Sequence, residues 1–190
     1  MRAGVYALLA RLLGRPMDNE TIAFVRGLSG DDSELGRAID ALAGLSARST
    51  QVAAEDEFTE LFYGFGAGGE LAPFASQYLT GFVYEKPLAD LRGDLAELGI
   101  ARQDGVTDPE DHMAFICEVM HGLITGAFGE PADLENQRAF FERHLAPWAS
   151  HFFTDMEQAK AAAIYMPVGT IGRVFMDIEK EAFGFGQRAR

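Results

Sequence analysis

The stretch PEDHMAFICEVMHGLITGAF, residues 109–128, decides the fold. Its large apolar side chains recur at Met113, Ile116, Met120 and Leu123, a spacing that places them on one face of an α-helix. We therefore predict a central helix over residues 109–128. Pro109 would lie in its first turn, with residue 107 or 108 as the cap.

Helical spacing recurs on both sides of this stretch, whereas two-residue alternation is almost absent. The sequence predicts an all-α fold, a single helical domain of eight to ten helices over residues 1–190. Between the helices we expect a glycine- and proline-rich loop at about 64–80 and a hinge-like linker at about 102–108. The other predicted helices cover about 5–13, 18–28, 33–45, a segment ending near 65, 86–98, 131–153 with a bend at Pro147, and 167–183.

The charge balance indicates what kind of partner the chain can bind. It has 29 acidic and 16 basic residues and a net charge of -13. Such a charge repels nucleic acid and anionic membranes and attracts a basic peptide. Solubility alone is an alternative reason for the acidity.

Cysteine content and hydropathy favour a cytoplasmic protein. Cys117 is the one cysteine, which excludes an internal disulfide and any multi-cysteine zinc site. The apolar N-terminal run is interrupted by Arg11 and has no cleavage-site pattern, so we interpret it as an amphipathic helix and not a signal peptide. No run reaches the ~18 apolar residues of a membrane span, so no membrane insertion is expected.

Catalytic and metal-binding patterns are incomplete. Glu118 and His121 lie three residues apart, as in di-iron bundles, but a second Glu-x-x-His is missing. The glycines after Tyr63 are followed by Glu70 and Leu71 instead of the Lys-Ser/Thr of a phosphate-binding loop. We predict no enzyme activity, no catalytic residues and no metal site.

A compact acidic patch precedes the central stripe. Asp104, Asp108, Glu110 and Asp111 lie within eight residues without an intervening base. Helix capping is one explanation, because acids at a helix start are stabilised by about 0.3–1 kcal/mol each. Capping does not account for His112, and the patch is equally suited to one or two arginines.

Three short segments carry a resemblance to a known family. They are EFTELFYGFG (57–66) followed by PFASQY (73–78), then DPEDH (108–112), and HLAPW (144–148) ahead of Phe152 and Phe153. This set resembles the signature of the TorD/DmsD/NarJ family, cytoplasmic chaperones that mature molybdenum-containing redox enzymes. Asp108 stands where that family usually has glutamate.

The resemblance implies a TorD-like fold and a groove that binds the twin-arginine signal peptide of a molybdoenzyme precursor. Asp111 and its acidic neighbours would hold guanidinium groups, while Phe74, Tyr78 and Phe82 would contact the apolar part of the peptide. The chaperone would delay export until the cofactor is inserted. The candidate peptide-binding residues are Pro73, Phe74, Ser76, Tyr78, Asp108, Glu110, Asp111 and His112.

Two other functions remain open at this point. One is a helical assembly subunit without signal-peptide binding, and the other is a helical enzyme with His112 as base and Asp111 as its orienting carboxylate. The residues predict no cofactor, although the family has been linked to guanine nucleotide and to transient contact with the molybdenum cofactor. Either a monomer or a dimer is compatible with the sequence, and the identity of the client is not encoded in it.

Overall fold

The computed structural model describes residues 2–64, 68–101 and 109–188. Within these ranges the chain forms ten α-helices and no strand, which confirms the all-α prediction. The helices are α1 (Arg2–Gly14), α2 (Asn19–Arg26), α3 (Glu34–Ser46), α4 (Gln51–Phe62), α5 (Ala75–Thr80), α6 (Lys86–Glu97), α7 (Met113–Thr125), α8 (Leu134–His144), α9 (Ala149–Gln158) and α10 (Met166–Arg188).

The helices group into two compact units. The first unit consists of Met1–Gly14 and Pro73–Trp148, and the second of Arg15–Ala72 and Ala149–Arg190. In the first unit α1 packs along α7, and α5 packs on α6. In the second unit α10 packs on α9 and α3. That residues 1–190 form one domain stays a prediction.

The predicted apolar stripe of the central helix is confirmed. Met113, Ile116 and Met120 are fully buried in α7, and Leu123 is almost so. Tyr6, Leu9 and Leu13 are buried on one face of α1. These two faces form the core of the first unit because α1 and α7 pack against each other.

The start of the central helix differs from the prediction. The helix begins at Met113 instead of residue 109, and its N-cap is His112, whose Nδ1 accepts the Ala114 N–H at 3.1 Å. Residues 109–112 leave the helix because His112 forms an isolated antiparallel bridge with Phe74. Residues 107 and 108, the predicted caps, lie outside the described residues, as does the predicted linker 102–108.

Two further boundaries differ from the prediction. The last six residues of the predicted loop at 64–80 form α5, since its start is stabilised by a carboxylate from a distant part of the chain. The helix predicted over 131–153 is two helices, α8 and α9, because the chain departs from helical geometry after His144 and re-enters it at Ala149.

The central position of α7 gives a test of the fold. Met120→Asp places an unpaired carboxylate among fully buried side chains, which costs several kcal/mol against a typical total of about 5–15 kcal/mol. We expect severe destabilisation or failure to fold, measured by thermal melting with circular dichroism. Thr125→Asp, which adds the same group at an exposed position of α7, is the control. Equal melting temperatures for the two variants would contradict the assignment of α7 to the core.

Candidate functional site

Two of the predicted motifs meet in the first unit. The Ala75 N–H donates to the Asp111 carbonyl at 2.9 Å, and the Met113 N–H donates to the Pro73 carbonyl at 2.8 Å. These bonds flank the bridge between Phe74 and His112. The PFASQY and PEDH segments, more than thirty residues apart in sequence, are therefore joined by backbone hydrogen bonds.

Asp111 connects the two segments through its side chain as well. It is fully buried, and its Oδ2 accepts the Ser76 N–H at 2.8 Å. This N–H belongs to the first turn of α5, where backbone donors lack an intrahelical acceptor. The second oxygen of Asp111, Oδ1, and the hydroxyl of buried Ser76 have no hydrogen-bond partner within the described part of the chain. Asp111 thus keeps one oxygen for a further interaction.

His112 and Phe74 pack on each other. Their ring centroids are 5.2 Å apart with the planes nearly perpendicular. Because Nδ1 of His112 accepts the Ala114 N–H, this nitrogen carries no proton in the observed geometry. His112 therefore has a structural role at the start of α7, and Phe74 is only partly exposed.

Glu110 is already paired with an arginine of the chain. Its Oε2 accepts from Nε and Nη2 of Arg92 on α6 at 3.0 and 2.7 Å. The hydrogen bond to Glu110 raises the pKa of Arg92 further above its usual range. Glu110 is 8% exposed. A guanidinium from a partner would have to displace Arg92 from this carboxylate. Asp108, the remaining acidic candidate, lies outside the described residues.

Tyr78 packs on the third motif. Its ring lies 5.4 Å from that of buried Trp148, whose indole N–H donates to the His144 carbonyl at 2.8 Å. Tyr78 therefore links α5 to the HLAPW segment. The sequence predicted Tyr78 as a contact for a peptide, but much of its ring is covered by the protein itself.

A small cavity of about 100 Å³ lies beside Asp111 in the first unit. It is lined from four helices, by Leu79 of α5, Asp90 of α6, Ile116 of α7, and Arg143 and His144 of α8 among others. Leu79 is exposed and Asp90 is partly exposed, so the cavity is reached from the surface. The full set of lining residues is Ala75, Leu79, Pro87, Asp90, Leu91, Asp111, Ile116, Arg143 and His144.

Sequence reasoning missed Asp90 and its neighbour on the next turn, Asp94. A weak signal was present, since the two acids lie four residues apart on one face of α6, each immediately before a buried leucine. His144 belongs to the HLAPW segment, but the sequence predicts no role for its side chain.

Asp94 holds two residues that line the cavity, Arg143 and His144. Its Oδ1 accepts from Nη1 of Arg143 at 2.7 Å, and its Oδ2 lies 2.6 Å from Nε2 of His144. Burial lowers the pKa of His144, which is 5% exposed, and the hydrogen bond to Asp94 opposes that shift without cancelling it. Neutral His144 can donate its Nε2 proton to Asp94, which fixes the tautomer.

An exposed apolar surface continues from the cavity. It consists of Leu79, Phe82, Val83 and Tyr84, which are 44%, 69%, 39% and 68% exposed, and we call it the 79–84 turn. Gly81 ends α5 in a left-handed conformation. Tyr84 also has a positive φ of 65°, which is uncommon for a residue other than glycine. Contiguous exposed aromatic residues indicate a surface for a partner.

Two acids, one in the first motif and one just after it, have a structural role in the second unit. The carboxylate of Glu57 accepts the N–H groups of Ala163, Ile164 and Tyr165 at 2.7 to 3.0 Å. Glu70 accepts those of Lys160 and Ala161, and these two bonds lower its pKa. Glu57 and Glu70 therefore hold the chain that enters α10.

The described residues contain neither a cluster of metal ligands nor a helix that could span a membrane. No three His, Cys, Asp or Glu side chains there are grouped so as to hold a metal ion. None of the helices in that part of the chain has the length and apolar character needed to cross a membrane.

Comparison with known proteins identifies the class. The chain has the fold of a redox enzyme maturation protein from Archaeoglobus fulgidus, with a TM-score of 0.59 at 18% identity over 95% of this chain and 94% of the other. The profile of the nitrate reductase delta subunit family matches residues 29–154. The chain therefore belongs to that family, the TorD/NarJ family, which confirms the resemblance seen in the sequence.

Curated relatives agree with this family. Chaperone protein TorD of Vibrio atlanticus is 24% identical over 95% of this chain and 93% of its own length. Chaperone protein TorD of Vibrio cholerae is 26% identical over 94% and 90%. These similarities support a maturation chaperone as the class of this protein.

His144 gives a prediction about stability and pH. Its pKa is lowered in the folded state, so the unfolded chain, with a pKa near 6.5, binds the proton more readily. The free energy of unfolding should be unaffected by this group above about pH 6.5 and should fall as the pH drops below that value. We expect His144→Gln to reduce this loss between about pH 7 and pH 5.5, measured by urea unfolding.

His151→Gln is the matched control, because His151 is an exposed histidine on α9. It should leave the pH dependence as in the parent. If His144→Gln and His151→Gln gave the same pH dependence, the burial of His144 would not be the cause of the lost stability at low pH.

Proposed function

We propose that this chain is a cytoplasmic chaperone that binds the twin-arginine signal peptide of a molybdenum-cofactor oxidoreductase precursor. By covering the signal peptide it delays export until the cofactor is inserted. The observation that carries this proposal is the position of buried Asp111, which lies next to an acid-lined cavity and holds the start of the PFASQY helix although it is distant in sequence. Family membership supplies the general class.

The chemistry of the peptide matches the two surfaces of the first unit. A twin-arginine signal peptide joins two adjacent guanidinium groups to an apolar stretch. The cavity offers carboxylates, which are the preferred partners of guanidinium. The 79–84 turn offers exposed Phe82 and Tyr84 for the apolar stretch.

The exposure of the aromatic side chains favours a different apolar contact within the proposed site. Phe74 packs on His112 and Tyr78 packs on Trp148, so much of each ring is covered by the protein. Phe82 and Tyr84 are more than two-thirds exposed. We therefore assign the apolar contact to the 79–84 turn. Phe74 and Tyr78 then have a structural role in packing the first unit.

Binding of this kind is reversible. Ordering a flexible peptide costs about 2–5 kcal/mol of the gross interaction energy, which keeps the affinity moderate. A chaperone that must release its client for export requires such an affinity.

The alternative of a helical enzyme with His112 as base is disfavoured by the observed contacts. Nδ1 of His112 accepts a backbone hydrogen bond, and its ring packs on Phe74. The alternative of an assembly subunit predicts instead that the 79–84 turn is permanently covered by a partner protein and does not discriminate between basic peptides.

The direct test is calorimetric titration with a twin-arginine peptide and its twin-lysine variant. We expect the twin-arginine peptide to bind and the twin-lysine peptide to bind at least several-fold more weakly, because guanidinium pairs with carboxylates in a planar geometry that ammonium cannot reproduce. Phe82→Ser with Tyr84→Ser should weaken both peptides alike, since the turn contacts the apolar stretch.

Leu134→Ser is the control for the turn, because Leu134 is 71% exposed on α8 of the same unit. It should leave both affinities unchanged. Equal affinity of the parent for the two peptides would refute selective signal-peptide binding and favour the assembly-subunit alternative.

Salt provides a test without mutation. If the net charge of -13 steers a basic peptide, association should slow between about 0.01 M and about 0.5 M salt, because the screening length falls from about 30 Å to well below 8 Å. Dissociation should change less, since the apolar contact is not screened. Stopped-flow measurement gives both rates. An association rate independent of salt would leave the acidity as a solubility feature.

A further inference from the structure

Few carboxylate oxygens around the cavity beside Asp111 are left without a hydrogen-bond or ion-pair partner. Asp94 is occupied by Arg143 and His144, and Glu110 is occupied by Arg92. The Oδ2 atom of Asp111 accepts the Ser76 N–H. Among the acids described around the cavity, Asp111 therefore has an Oδ1 atom without a hydrogen-bond partner, and Asp90 has no ion pair with an arginine or lysine of the described residues.

Oδ1 of Asp111 is the observation that points to a ligand. The residue is fully buried and lines the cavity, yet this atom has no hydrogen-bond partner in the described chain. A buried carboxylate oxygen without a partner is unfavourable by more than an ordinary lost hydrogen bond. A cationic donor that entered the cavity would supply that partner.

The volume of the cavity limits the size of the donor. About 100 Å³ is smaller than the roughly 150 Å³ of a cavity that accommodates benzene, so it suits the four heavy atoms of one guanidinium group and not two such groups. Ala75, Leu91 and Ile116 give the cavity apolar walls that suit the methylene stem of an arginine. Guanidinium is also more weakly hydrated than ammonium, so it loses less on entering a partly buried site.

The charges around the cavity favour a cation. Four carboxylates, those of Asp90, Asp94, Glu110 and Asp111, lie in or next to the cavity, against two guanidinium groups, those of Arg92 and Arg143. His144 lies in the same wall, and its burial favours the neutral form. An excess of negative charge therefore remains after the internal pairs are made.

We propose that this cavity binds a single arginine side chain, with its guanidinium held between Asp90 and Oδ1 of Asp111. This inference rests on the proposed function, because in a signal peptide the arginine would be one member of the twin pair. It assigns unequal roles to the two arginines. One enters the cavity, and the other remains outside it because Glu110 is already held by Arg92.

The peptide experiment uses four peptides of one sequence, with the pair as Arg-Arg, Arg-Lys, Lys-Arg and Lys-Lys, titrated into the parent protein and into Asp90→Asn. One single-lysine peptide should lose about tenfold or more in affinity, as expected for a charge-assisted hydrogen bond, and the other should lose much less. In Asp90→Asn the difference in affinity between arginine and lysine at the sensitive position should largely disappear. Equal losses for both single-lysine peptides would overturn the single-arginine site.

Glu97→Gln is the matched control, since it removes one negative charge from an exposed position on the same helix. It should retain the discrimination seen in the parent. Loss of discrimination in Glu97→Gln to the same extent as in Asp90→Asn would show that net charge, and not the cavity, selects arginine.

A smaller probe separates this inference from the proposed function. N-acetyl-arginine amide should shift the backbone amide resonances of Ala75 and Ser76 in the parent protein, and N-acetyl-lysine amide should do so only at much higher concentration. Both effects should be lost in Asp111→Asn and weakened in Asp90→Asn. If the arginine probe binds while no signal peptide does, the cavity stands and the proposed function fails. If the peptide binds but both probes act alike, the cavity inference is overturned while the proposed function stands.

Discussion

The first unit depends on one buried carboxylate. Asp111 accepts the Ser76 N–H through its side chain and the Ala75 N–H through its carbonyl, so it fixes the start of α5 at two points. The next residue, His112, caps α7. Loss of the Asp111 hydrogen bonds would therefore free the start of α5. It would also displace His112, the cap of the core helix α7.

This arrangement couples the stability of the unit to the geometry of the cavity. The carboxylate of this cavity-lining residue uses one oxygen for structure, and the other has no hydrogen-bond partner in the described chain. Substitutions at Asp111 consequently alter folding and binding together. Asp90 is different, because it lines the cavity from α6 and neither caps a helix nor pairs with an arginine or lysine in the described part of the chain. Its substitution separates the two effects, and for that reason it carries more information about binding than Asp111 does.

Local patterns predicted the helices well, and long-range contacts account for most of the differences. The buried stripe from Met113 to Leu123 follows from spacing alone. The start of α7 does not, because it is set by the pairing of Phe74 with His112, which no local pattern contains. The loop predicted at 64–80 ends in α5 for the same reason. The motifs indicated the neighbourhood of the candidate site, whereas Asp90, which lies in none of them, enters it only through the packing of α6.

The net charge of -13 overstates how much negative charge is open to a partner. In the second unit, Glu57 and Glu70 use their carboxylates to hold the backbone N–H groups of residues 160–165. In the first, Asp94 and Glu110 are paired with arginines of the chain itself. Long-range attraction acts through the sum of all these charges, but a short-range ion pair needs an oxygen that is still uncommitted. Overall acidity therefore bears on the rate of encounter with a basic peptide, while the choice of arginine over lysine falls to the few carboxylates that folding has left unpaired.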